Sequence, residues 1–160
     1  MFEIGEVVSY NQYICKIKSI KKNHNNEYYV MNPVDDETLV IEIPIENKIS
    51  SIKKIMTYDE AMELIKKLNS IEVISVSDKY IEQQYKDLLK TRDKENIVKV
   101  IKTAYLRNKK REEENKKISE KDKSYLEKAE KLLYNEISFS LKKSYDDTKQ
   151  FIYDYCSKNE

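Results

Sequence analysis

The hydropathy pattern of this chain changes period near residue 55, and that change constrains the fold more than any other feature. Up to Ile55 apolar and polar residues alternate as they do in strands; beyond it apolar residues recur three and four apart, as on one face of a helix. Strands followed by helices, rather than alternating with them, predict an α+β chain. The expected parts are a β domain over residues 1–55 and an all-α bundle over residues 56–160.

In the first part, FEIGEVVSY and YICKIKSI read as strands, with KKNHNNE as an asparagine-rich turn between the second strand and EYYVMN. NPVDDE is the next turn, and TLVIEIPI reads as a fourth strand ending at Pro44. The second strand carries charge and apolar residues on one parity, which predicts a twist or bulge at one of its ends. Short strands at close spacing indicate a small curled sheet or barrel.

In the second part, Thr57 and Glu60 form a capping box ahead of Ala61, Leu64, Ile65 and Leu68. IEVISVS is ambiguous, β-branched but short. Ile81, Tyr85, Leu88 and Leu89 share a helical face. Asp93 caps a helix with Ile97, Ile101, Ala104 and Tyr105 inward, running into the polar NKKREEENKK as an exposed last turn and loop. Ser119 with Asp122 opens a helix bearing Tyr125, Leu126, Ala129, Leu132, Leu133 and Ile137, and Ser144 with Asp147 opens one bearing Phe151, Ile152 and Tyr155. Four or five helices in a bundle are expected.

Composition removes whole classes of chemistry. One glycine among 160 residues leaves no room for a dinucleotide fingerprint or a phosphate-binding P-loop. One histidine (His24) and two distant cysteines (Cys15, Cys156) cannot build a zinc finger or an H-E-x-x-H site, so the cysteines read as reduced packing residues of a cytosolic protein. The N-terminus has Glu3 and Glu6 and no apolar core of a signal peptide, and no apolar run reaches the ~18–20 residues of a membrane span. Thirty basic residues against 29 acidic ones exclude a polycation that coats nucleic acid but leave room for a local basic face. Only Arg92, Arg107 and Arg111 are arginines, so contact with DNA is expected to be phosphate contact by lysine rather than guanine reading.

Asp35, Asp36 and Glu37 cluster as metal ligands do, and a metal-assisted hydrolase could be built on Asp35 and Asp36, but acids after a proline in a turn are ordinary turn chemistry. His24 reads as a solvated turn residue. Lys109, Lys110, Arg111, Lys116 and Lys117 form a basic run broken by Glu112, Glu113 and Glu114, the composition of a solvated helix end. Thirteen tyrosines against three phenylalanines are more suggestive. Tyr80 falls off the face set by Ile81, Tyr85 and Leu88, beside Lys79, as an aromatic that wedges a base step would.

FEIGEVVSY, EYYVMN with IPIEN, and VIKTAYLRNKKREEENKKIS with EKDKSYLEKAEKLLYNEISFSL follow one another in this order. The series resembles the CarD family of bacterial RNA polymerase-binding transcription regulators. The first segment looks like the family's opening Gly-acidic-x-Val-Val-x-Tyr. The second is similar to its Tyr-Tyr-x-Val strand and Val-Pro-x-Glu-Asn strand end, and the third to its paired helices around Leu-Ser-x-x-Glu/Asp. The likeness covers most of the chain and is weakest between about Lys66 and Lys90.

The resemblance implies that residues 1–55 form a Tudor-like β-barrel, as in transcription-repair coupling factors. It would dock on the β subunit of RNA polymerase, partly by strand addition, with Lys22, Val40, Ile41 and Glu42 at the contact positions. The bundle would meet promoter DNA at the upstream edge of the transcription bubble, with Lys79, Tyr80, Tyr85, Lys86, Lys123 and Lys128 facing or supporting it. The family's minor-groove wedge is a tryptophan. This chain has none; Tyr80 or Ile81 stands nearest its place, Gln83-Gln84 replaces the basic pair that follows, and Glu42 replaces an often basic residue. Asn11-Gln12-Tyr13-Ile14-Cys15 replaces a Gly-rich turn. The implied function is non-enzymatic and cytoplasmic, without cofactor, metal, membrane or small-molecule substrate. The competing expectation is a protein-binding adaptor that never touches DNA.

Overall fold

The chain's only glycine, Gly5, has φ +91, and a Cβ there would meet nothing within 4 Å, so backbone conformation rather than space requires it. The computed structural model describes residues 1–46 and 52–159. The chain divides into two compact units, Met1–Thr57 and Tyr58–Glu160.

The first unit is one antiparallel sheet: β1 (Val7–Tyr10), β2 (Tyr13–Asn23), β3 (Asn26–Pro33), β4 (Ile41–Pro44) and β5 (Ile52–Lys54), in the order β4-β3-β2-β1-β5. β4 and β5 are its edges, and no ladder joins them among the described residues, so the sheet is open there rather than closed into a barrel. Alternation sends Val8, Cys15, Ile17, Tyr29, Met31 and Ile52 to one face, where Phe2, Tyr10, Tyr13, Ile41, Ile43 and Ile45 pack on them. Full burial of a side chain such as Ile17 is worth about 1.5–3 kcal/mol. The Tyr29 hydroxyl accepts the Phe2 N–H at 2.9 Å, tying the N-terminal segment to that core.

Several strand boundaries differ from the expected ones. The mixed parity of β2 resolves as a bulge: Ile17 opposes Met31 and Ser19 opposes Val30, leaving Lys18 as the extra residue. KKNHNNE is mostly strand, because Lys21, Lys22 and Asn23 pair with Tyr28, Glu27 and Asn26 and only His24 and Asn25 make the turn. TLVIEIPI contributes only Ile41–Pro44. β5 is additional; three residues are too few to show an alternation. Asn47 of IPIEN lies outside the described residues.

The second unit has α1 (Tyr58–Lys67) with a 3-10 turn (Leu68–Ser70), α2 (Asp78–Lys90), α3 (Lys94–Glu113), α4 (Glu120–Leu141) and α5 (Tyr145–Lys158). Three starts are capped as the sequence predicts: Asp93 accepts the Asn96 N–H, Ser119 the Asp122 N–H and Ser144 the Asp147 N–H. IEVISVS takes neither regular form. It is held by the Lys102 ammonium, which donates to the carbonyls of Leu68 and Ile71, and by the Thr103 hydroxyl, which accepts the Ile74 N–H at 2.9 Å. Tyr105, expected inward, is 44% exposed, and Val98, Val100 and Thr103 are buried instead, so the buried stripe of α3 is rotated from the expected one. NKKREEENKK is helical as far as Glu113.

With glycine absent elsewhere, the reversals place Asn11, His24, Arg92, Asn115 and Lys142 at φ between 51 and 56. Among the described residues no helix is long and apolar enough to cross a membrane.

Candidate nucleic-acid interface

α2 begins at Ser77, whose backbone is extended (φ −68, ψ 156) and whose side chain makes no capping bond. Ile81, Tyr85 and Leu89 then fall four apart and are buried as one stripe. Tyr80 precedes the stripe by one residue, about 100° around the helix, and is 56% exposed while Ile81 is 3% exposed. Of the two residues nearest the missing tryptophan, Tyr80 is therefore the exposed one. The Lys79 ammonium lies 5.5 Å from its ring centroid, a surface cation–π contact worth about 0.5–1 kcal/mol.

Tyr85 requires a correction. It is fully buried, and its hydroxyl donates to Asp122 Oδ1 at 2.7 Å, so it cannot face a ligand. Burial first, and the Asp122 carboxylate second, push its hydroxyl well above the usual tyrosine range. Asp122, 1% exposed, takes Arg107 Nε on its other oxygen at 3.1 Å, and Arg107 Nη1 reaches Asp78 Oδ1 at 2.7 Å. One guanidinium on α3 thus holds the first turns of α2 and α4. Asp78 is held below the usual carboxylate range by that hydrogen bond, by the Arg107 charge and by the charges of Arg111 and Lys110.

Lys86 is exposed but sits 3.6 Å from Glu82, which also meets Lys121 at 3.0 Å and accepts from the Tyr125 hydroxyl at 3.3 Å. Glu82 therefore neutralises part of the lysine charge on this side of the bundle. Lys79, Lys123 and Lys128 are exposed and stand outside these pairs. Lys110 and Arg111, part of the run that reads as a solvated helix end, lie close enough to Asp78 to depress its pKa and so close to the Lys79–Tyr80 turn. Sequence spacing cannot show this proximity, because it depends on how α3 packs beside α2.

In the sheet unit, Val40 is 56% exposed just before β4, Ile41 is half-buried on the core side, and Glu42 is exposed on the edge strand. Lys22 pairs with Glu27 near the hairpin end, away from Glu42; the neighbouring Lys21 reaches Glu42, at 3.1 Å. Asp36 accepts from both the N–H and the hydroxyl of Thr38, at 3.0 and 2.5 Å, so its carboxylate serves the turn. Among the described residues no three His, Cys, Asp or Glu side chains group as metal ligands. Compared with known proteins, the chain matches no family model and no curated protein.

Proposed function

We propose that this chain is a non-enzymatic, cytoplasmic regulator of bacterial transcription. Its N-terminal unit binds the β subunit of RNA polymerase, and its helical unit alters the stability of the promoter open complex. In this reading the sheet is a Tudor-like module and β4 is the edge to which a polymerase strand adds, with Val40 as its exposed apolar contact, Glu42 as its charge and Lys22 as a further contact at the β2–β3 hairpin end. No cofactor or small-molecule substrate takes part.

The observation that carries the DNA contact is the exposed Tyr80 ring beside the Lys79 ammonium, one residue ahead of the buried Ile81. Base–aromatic stacking contributes ~1–3 kcal/mol, less for tyrosine than for a larger indole. Lys79, Lys86, Lys123 and Lys128 add phosphate attraction that weakens steeply with salt. At physiological salt, contact of the helical unit with DNA is then significant only where polymerase holds the promoter at high effective concentration. Regulation follows from unequal affinity for closed and open promoters.

The test uses the full chain, purified polymerase and a promoter fragment. Val40→Lys with Glu42→Lys should release polymerase in a pull-down; undiminished capture removes β4 as the docking edge. Tyr80→Ala should shorten open-complex lifetime with polymerase still bound, and Lys86→Glu with Lys123→Glu should shorten it more. A second reading, a polymerase-docked adaptor without DNA contact, is favoured by Glu82, which occupies Lys86 and Lys121. Unchanged promoter opening in both helical-unit variants, with polymerase retained, selects it.

A further inference from the structure

The face of the sheet opposite its core carries a charge pattern that the proposed docking through β4 does not use. Lys16 is exposed between the fully buried Cys15 and Ile17, so it projects away from the core, level with Val7 of β1 and Asn32 of β3. Lys53 of β5 pairs with Ser9 of β1, and Lys21 of β2 with Tyr28 of β3, on that same outer face. Lys18, the extra residue of the bulge, is exposed among them. Lys22 and Lys54 fall on the other parity, and neither β2 nor β5 holds an acidic residue. Among the described residues the strands contribute one acid to the outer face, Glu42, paired with Lys21. Of the loop acids that follow β3, Asp36 is occupied by Thr38.

We infer that this lysine face is a second nucleic-acid surface, separate from the helical unit, which grips duplex DNA by its phosphates without reading sequence. Charge complementarity and spacing argue for that partner. Strands lie ~4.8 Å apart and rise ~3.4 Å per residue, so Lys53 and Lys16, on either side of β1 and two residues out of step, have Cα atoms ~12 Å apart. Lys16 and Lys21 are ~14 Å apart once the bulge is discounted. The major groove is ~12 Å wide, so these ammonium groups can meet phosphates on both of its walls. A protein partner fits poorly: lysine is depleted in protein interfaces, which are anchored by exposed aromatic or apolar groups. Here Val7, Tyr28 and Val30 are half-buried and Ile14 is buried.

The decisive experiment measures binding of the full chain to a fluorescent duplex of mixed sequence across a salt series, without polymerase. Lys16→Gln with Lys18→Gln and Lys53→Gln should weaken binding about tenfold or more at low salt, and make the slope of log affinity against log salt shallower by about 0.9 for each phosphate no longer neutralised. The three arginine substitutions at the same positions should leave both quantities near the parent values. Lys53→Gln alone, a change at one exposed edge position, should show one lysine's share and serves if the triple variant folds poorly. Unchanged affinity and slope in the glutamine variants overturns the inference. Tighter binding to phosphatidylserine vesicles than to the duplex, abolished in the same variants, overturns it in favour of a membrane surface. Lys79→Gln with Lys123→Gln and Lys128→Gln, measured in parallel, reports separately on the helical unit.

Discussion

The Tyr85 hydroxyl donates to Asp122 across 37 residues of chain, and the other oxygen of that carboxylate receives Arg107 Nε. Both oxygens of an almost fully buried charge are thereby satisfied, which is the condition under which such a charge is tolerated. Arg107→Met leaves the Asp122 carboxyl buried without its charged partner and should cost about 3–5 kcal/mol. Tyr85→Phe removes a single donor and should cost about 1–3 kcal/mol. Urea unfolding of the two variants checks the order; an Arg107→Met destabilisation no larger than that of Tyr85→Phe would show that the guanidinium is not what stabilises the buried carboxylate.

Tyrosine ionisation gives an alkaline prediction. Burial, then the Asp122 carboxylate, raises the Tyr85 hydroxyl; burial, then the Glu130 charge, raises Tyr134 and pushes Tyr145 up to about 12. A folded pKa above the unfolded value near 10 means that the unfolded chain loses its protons first. The stabilisation is whole below about pH 10 and disappears as pH climbs through the folded values. Absorbance should show these tyrosines ionising late, in step with the loss of helical circular dichroism. Their complete ionisation while the helical signal persists would contradict the buried placement.

The acid limb runs the opposite way. Asp78 is depressed below its ordinary value of 3.8, chiefly by the Arg107 hydrogen bond and charge. Its contribution is complete above that value and lost as pH falls through the lower folded one. Asp78→Asn should therefore flatten the fall of stability on the acid side, a change visible in thermal midpoints measured from neutral pH downward. An acid limb as steep as the parent's would assign the acid sensitivity to other carboxylates.

Thiol chemistry separates the cysteines. Burial, with a smaller push from Asp35, raises the Cys15 thiol to about 11, and the thiolate is the reactive form. Cys156 is half-buried on α5. At neutral pH iodoacetamide should modify Cys156 well before Cys15, and denaturant should equalise them. Equal rates in the folded protein would mean that the sheet core opens readily.

The sequence showed the division between sheet and helices, because the period of the hydrophobic pattern is a local property. It also showed Asp93, Ser119 and Ser144 as caps, whose partners lie three residues on. It separated Tyr80 from the buried stripe by phase alone. It could not show that Tyr85 is sealed by Asp122, that Arg107 ties two helix starts, or that Lys110 and Arg111 approach Asp78. Those pairs lie far apart in sequence, and a hydropathy pattern records which face is buried without naming what covers it. β5 escaped for a different reason: Ile52–Lys54 is shorter than one readable alternation.

Lys142 offers a backbone test. It ends α4 with φ 54 and ψ 44, its N–H donating to Phe139 O, while the Lys143 N–H donates to Ser138 O. The left-handed conformation costs a side-chain-bearing residue ~1–2 kcal/mol, and glycine avoids that while adding ~0.5–1 kcal/mol of unfolded-state entropy. Lys142→Gly should raise stability by about 0.5–1 kcal/mol in urea titrations. A fall in stability would show that the lysine side chain contributes more than its backbone strain removes.

Lys142 is one of five such positions among the described residues, and together they bear on how the chain reaches its native state. Asn11, His24 and Asn115 are of types that tolerate this region, but Arg92 and Lys142 bend the chain at residues with no preference of their own for the bend. A reversal of that kind has little reason to persist before the segments on either side have met. Isolated hairpins and helix pairs cut from this protein should accordingly be nearly structureless. Within each unit, turns and packing should appear in a single kinetic phase, because the corners persist only once the walls hold them.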